Sequence, residues 1–165
     1  MKPKLLSVVS TALVMLLAML SSAASDGSQA FEKMKSLEGS WSGKTADGRA
    51  VQVSNRVTSG GSVVMSEITG HEDMITMFHL DGGRLLMTHY CAAGNQPRMV
   101  ASLSSDGKTI TFDFLDATNL LPSQGGHMER VVFTLIDADH HSEDWQFAQS
   151  GGQKLHEKFN LERQK

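Results

Sequence analysis

The chain has 165 residues, 40% of them hydrophobic and 20% charged, and a formal charge of −3. An acidic balance without a cluster of lysines and arginines offers nothing to displace counterions from phosphates, so no nucleic-acid partner is expected. A single cysteine, Cys91, rules out an internal disulfide, and stability has to come from a hydrophobic core, which a chain of this length can build.

The first segment reads as a leader. Lys2 and Lys4 precede "LLSVVSTALVMLLAML", Leu5 to Leu20, and Ser22 and Ala24 set up a small-x-small cleavage site after Ala24. The apolar run is too short for a spanning helix and is followed at once by small and polar residues. Residues 1–24 are therefore expected to be a signal peptide and 25–165 a single domain, exported to the periplasm or secreted, with no membrane attachment after cleavage. Without Lys2 and Lys4, 13 basic residues remain against 18 acidic ones, a net charge of −5.

Next, "QAFEKMKSL" places Phe31, Met34 and Leu37 at helical spacing, which predicts a short amphipathic helix over 29–37. Beyond it the apolar period falls to two. Turn signals recur about every ten residues: "ADGR", "TSGGS", "DGGR", "SDGK", "DADH" and "SGGQ" each offer Gly, Asp or Asn where a hairpin needs positive φ. The strands between them are 41–45, 50–57, 62–68, 74–80, 84–91, 98–103, 109–115, 128–136, 141–148 and 154–161. A meander of that many strands must close or leave long edges, so the expected fold is all-β: an up-and-down antiparallel barrel of about 8–10 strands with a short N-terminal helix covering one end.

Loop length at the "DGG" hairpin decides the most informative parity: a three-residue loop would bring His79 and His89 to one face, and two or four residues separate them. A two-residue loop puts Phe78, Leu85, Met87, His89 and Cys91 on one, inward face, and Thr88 with Tyr90 on the other. His89 is then a lumen histidine. Cys91, His89 and Asn95 do not make a persuasive thiol triad, since no helix N-terminus lowers the thiol pKa here, and Cys91 reads as a small buried hydrophobe. "AAGNQPR" after the strand has turn chemistry, and its Asn95, Gln96 and Arg98 either serve a ligand at the barrel mouth or satisfy one another in the turn.

Further on, His127, Glu129, Val131 and Phe133 share a parity, as do His141, Glu143, Trp145 and Phe147. Glu129 and Glu143 are thus expected inside, where a carboxylate needs a partner, and Arg98 and His89 are the groups at hand. Seven histidines include no metal-binding spacing, and His71, His140 and His156 read as solvated. No catalytic or metal residues are assigned. The candidate ligand-binding residues are His89, Arg98, Glu143, Trp145, His127, Tyr90, Asn95 and Gln96.

"LEGSW" after a helix, "MFHLDGGRLLMTHYCAAGNQPRM" and "GHMERVVFTLIDADHHSEDW" resemble small exported bacterial proteins of lipocalin-like, calycin type and of uncharacterised function, over nearly the whole mature chain. The resemblance implies a barrel with an interior cavity; Gly39 and Trp41 match the G-x-W opening common in calycins, where the tryptophan closes the barrel base. Nitrobindin-like barrels open in the same way and bind haem through a histidine, which would make His89 or His127 the axial candidate. The cofactor, if any, is left unknown. The expected function is binding of a small, partly hydrophobic molecule in a cavity lined by Met87, His89, Phe112, Phe133, Glu143 and Trp145; the alternatives are haem binding and an enzyme in which His89 and an inward glutamate share acid–base work.

Overall fold

The computed structural model describes residues 25–165 except His71; the expected signal peptide and the surface reading of His71 lie outside the described residues. One helix, α1 (Asp26–Ser36), precedes ten strands: β1 (Gly39–Lys44), β2 (Ala50–Thr58), β3 (Val63–Thr69), β4 (Met74–Asp81), β5 (Arg84–Tyr90), β6 (Gln96–Leu103), β7 (Thr109–Thr118), β8 (Gly126–Leu135), β9 (His140–Gln149) and β10 (Lys154–Arg163). Each pairs antiparallel with its sequence neighbour, and β10 returns to β1 to close the barrel. The expected meander is present strand for strand.

The helix begins three residues before the expected start. Ser25 caps it, accepting from the Ser28 amide, and Asp26 adds a favourable charge to the first turn. Its buried face of Ala30, Phe31 and Met34 enters the barrel end formed by the β4–β5 and β6–β7 turns. Beyond it the lumen is filled by side chains. Phe78, Phe112 and Phe133 form a mutual aromatic cluster with ring centroids 5.4–5.9 Å apart, surrounded by Leu85, Met87, Met99 and Ile110. At this level the expected central cavity is filled: Met87 and Phe112 have no exposed surface, because five aromatic and thioether side chains take up the volume a ten-stranded ring encloses.

The "DGG" hairpin has the two-residue loop Gly82-Gly83, with Asp81 opposite Arg84, and the expected inward face follows. Two register shifts alter parity elsewhere. Between Arg98 and Met99 the pairing skips Leu115 of β7, and between Met128 and Arg130 it skips Glu129 of β8.

Gly27 is where helix and barrel come closest. A Cβ there would intrude on the Gly83 carbonyl oxygen and sit 2.7 Å from the Leu85 amide nitrogen. Alanine normally improves a helix by up to about 1 kcal/mol over glycine. At this seat the sign should reverse: Gly27→Ala is expected to lower stability by about 2 kcal/mol, read as an earlier denaturant midpoint. An unchanged or later midpoint would contradict the close seating of α1.

Candidate functional site

Among the described residues, the barrel end away from α1 carries strand-connecting turns and one 3₁₀ turn at Pro122–Gln124, and a pocket of about 650 Å³ opens there. Its apolar wall consists of Cys91, Ala92 and Ala93 from the β5–β6 turn, Met128 of β8, Trp145 and Phe147 of β9 and Leu155 of β10. Thr45, Asp47, Arg49, Glu72, His156 and Glu157 make a polar rim. Arg49 Nε donates to Asp47 at 2.8 Å and its Nη2 to Glu157 at 3.0 Å, so the rim is braced by ion pairs. Hydrogen bonds from Thr45 and Arg49 hold the Asp47 carboxyl down at about 2. Of the six residues expected to line a cavity, Trp145 alone borders this pocket.

Beneath the pocket lies a polar column. His141, Glu143 and Trp145 alternate along the inward face of β9, each almost fully buried. Glu143 Oε2 accepts from the Trp145 indole N–H at 2.9 Å, and Oε1 lies 3.2 Å from His141 Nε2. The His141 ring stands edge-on to Trp41 at 4.3 Å. The inward placement of Glu143 was legible; its partners, however, are neighbours on its own strand face rather than Arg98 and His89. His141 is the buried residue that the sequence reading passed over, although its parity with Trp145 carried the signal. His140, its neighbour, points outward to Asp137, and His156 outward to Asp144, as solvated residues do.

His89 is inside, as the hairpin parity requires, with no exposed surface. Its Nδ1 lies 2.8 Å from Thr76 Oγ1, and its ring lies against Trp145 at 4.8 Å. Burial pushes its pKa from 6.5 down to about 4, so the imidazole is neutral at physiological pH.

The other candidates are placed elsewhere. Arg98 is on the outer face, where both Nε and Nη2 hold Asp116. It pairs with Thr88, an outward residue, so it never turns toward the lumen. Glu129 is the unpaired residue of the β8 bulge, bonded to Lys154 and Gln146 at the surface. The same shift moves His127 out of step with Val131; its ring packs on Phe114 in a hollow with Leu120, Leu121 and Ala148. Tyr90 is outward and 49% exposed. Asn95 is buried, and its Nδ2 donates to the Gly126 carbonyl at 2.8 Å, fastening the β5–β6 turn to β8. Gln96 closes the turn on itself, bonding Gly94 O and Thr118. Of the three residues expected either at a ligand or in a self-satisfied turn, Gln96 bonds within the turn, whereas Asn95 and Arg98 bond β8 and β7.

The two chemical alternatives fare accordingly. No direct hydrogen bond joins His89 to Glu143 or Glu129 among the described residues. Cys91 is not bonded to His89 either, and burial raises its thiol pKa rather than activating it. Neither His89 nor His127 presents a ring nitrogen to the mouth pocket, and they do not fit an axial haem site. Among the described residues no group of three or more His, Cys, Asp or Glu side chains is placed to hold a metal ion.

With this geometry, two solved structures are similar. Rv2717c from M. tuberculosis matches at a TM-score of 0.57 and 17% identity, over 82% of this chain and 98% of that one. A protein of unknown function from the DUF3598 family of Nostoc punctiforme matches at 0.53 and 13% identity, over 79% of this chain and 49% of that one, so this chain spans about half its length. The likeness is one of fold. No known family matches the sequence, and no curated protein does.

Two outcomes follow from the buried column. Glu143→Leu strands the indole N–H and the imidazole together and is expected to destabilise by about 3 kcal/mol, with Glu143→Gln costing less because one acceptor remains; chemical denaturation of the pair checks the order. His89 has a folded pKa below its unfolded one, so the unfolded chain binds the extra proton first as pH falls. Its stabilising share is full above about pH 6.5 and is lost between there and about pH 4, on the order of 3 kcal/mol in total. Denaturation series at pH 7, 5.5 and 4 on wild type and His89→Phe should show the acid loss shrink in the variant, and equal losses would exclude His89 as their source.

Proposed function

We propose that this chain is an exported single-domain barrel that binds a small, partly hydrophobic molecule at its open mouth. The observation that carries this reading is the asymmetry of the barrel. One end is plugged by α1 and packed solid, whereas the other leaves about 650 Å³ with an apolar wall of Met128, Trp145, Phe147 and Leu155 under a charged rim. Such a space, apolar with a few polar groups, is what small-ligand sites look like. Leu155 is 44% exposed, an apolar side chain left open to water at the pocket edge. Export is supported by the Lys-headed apolar run that ends in Ser22-Ala23-Ala24.

Cys91, the sole cysteine, lines the pocket and reports on it directly. Burial raises its thiol pKa, so alkylation by iodoacetamide should be slow at neutral pH and quicken as pH rises. Saturating naphthalene is expected to slow that alkylation by about fivefold or more, since reaction must wait for the ligand-free fraction. Native mass spectrometry of freshly purified protein should show a small molecule retained. Unprotected Cys91 together with a bare mass would overturn the reading.

A further inference from the structure

His89 Nε2 is a buried ring nitrogen with no hydrogen-bond partner among the described residues, and the ring lies against the Trp145 indole at 4.8 Å. Trp145 extends from β9 across the lumen to the wall formed by β5, so its indole is at once the floor of the mouth pocket and the cover of His89. Native proteins rarely leave a buried polar atom unmet without a use for it.

Which chemistry Nε2 offers follows from Thr76. The Thr76 hydroxyl is itself buried, and its contact is His89 Nδ1 at 2.8 Å. If Nδ1 carried the hydrogen, the Thr76 O–H would have nothing to donate to and Nε2 would be an unmet acceptor. If Thr76 donates to Nδ1, both of those atoms are satisfied and one group stays open, the Nε2–H. The second arrangement strands fewer groups, so a neutral His89 with its hydrogen on Nε2 is the form the site holds.

We propose that His89 Nε2–H is the polar anchor of the mouth pocket, and that its ligand is a planar, aromatic molecule bearing a hydrogen-bond acceptor such as a carbonyl oxygen, which takes the place of Trp145 against the imidazole. This rests on the mouth-pocket reading and extends it inward. When the indole turns aside, Glu143 keeps His141 Nε2 as a partner, so the displaced N–H does not leave the carboxylate bare. The ligand's ring restores the stack on His89, and its acceptor meets the open Nε2–H. A ligand without an acceptor gains the apolar wall alone.

The test uses two probes of nearly equal shape, 2-acetylnaphthalene, which has a carbonyl acceptor, and 2-isopropylnaphthalene, which has none. Each is titrated into the full mature protein while tryptophan emission and Cys91 alkylation are followed. The ketone is expected to bind wild type about tenfold tighter, the worth of one buried hydrogen bond, and His89→Phe should bring the two probes within about twofold. Should that variant fail to fold, the wild type suffices: in ¹H–¹⁵N spectra the His89 Nε2 signal should be that of a protonated nitrogen and should move with the ketone but not with the hydrocarbon. Equal affinities with an unmoved or unprotonated Nε2 would overturn the His89 assignment while leaving the pocket intact. Failure of both probes to protect Cys91 would overturn the assignment and the pocket reading together.

Discussion

The barrel depends on one seam, where the last strand meets the first. β10 pairs with β1 from Asn160 opposite Lys44 to Arg163 opposite Trp41, and without it both strands would be bare edges. Arg163 secures the seam. Its guanidinium lies 4.1 Å above the Trp41 ring and donates to the carbonyls of Ser36, Glu38 and Ala138. Ser36 ends α1, where carbonyls have lost their helical partners, and Leu37 O is met in turn by the Trp41 indole and Asn55. A single side chain thus joins the helix end, the first strand, the last strand and the β8–β9 turn. Lysine could not replace it, because the stack and the three separate donors need a planar fork.

Closing one end so completely decides what the other can be. The aromatic cluster, Met87, Met99 and α1 fill the sealed half, and among the described residues no comparable element descends into the far half. The far turns are nonetheless held. Asn95 ties the β5–β6 turn to Gly126, and Gly126 lies so close to β9 that a Cβ would strike the Ala148 carbonyl and the Phe147 ring. The mouth is therefore a braced opening rather than a collapsed one, and its depth is set by Trp145.

Ten strands, the closed ring and the helix were legible because alternation and glycine punctuation are local. The inward face of β5 was legible for the same reason: a two-residue loop at Gly82-Gly83 leaves no freedom of parity. What misled was also local in cause but silent in pattern. One extra residue at Glu129 and one at Leu115 shift the count by one, and every parity argument that crosses a bulge inverts. Hence Glu129 and His127 were expected on a lumen they do not face. Partner choice was harder still. Arg98 sits opposite Asp116 through β6–β7 pairing at a bulge, and nothing in either segment alone announces it.

The column from His141 through Glu143 and Trp145 to His89 and Thr76 is the part that stability does not explain. Replacing buried ionisable groups by apolar ones of similar volume is often neutral or favourable, and the sealed half of the same lumen shows that apolar residues can fill this ring. The column's polar side chains come from β9, β5 and β4. They begin at the edge of the phenylalanine cluster, where Trp145 lies 6.3 Å from Phe133, and end under the floor of the mouth. Satisfying His89 would have required one more acceptor beside it, and the indole that covers the ring supplies none, since its single N–H is given to Glu143. Two ring nitrogens of the column have no hydrogen-bond partner among the described residues, His141 Nδ1 beside Trp41 and His89 Nε2; of the two rings, that of His89 is the one covered by a residue lining the mouth pocket.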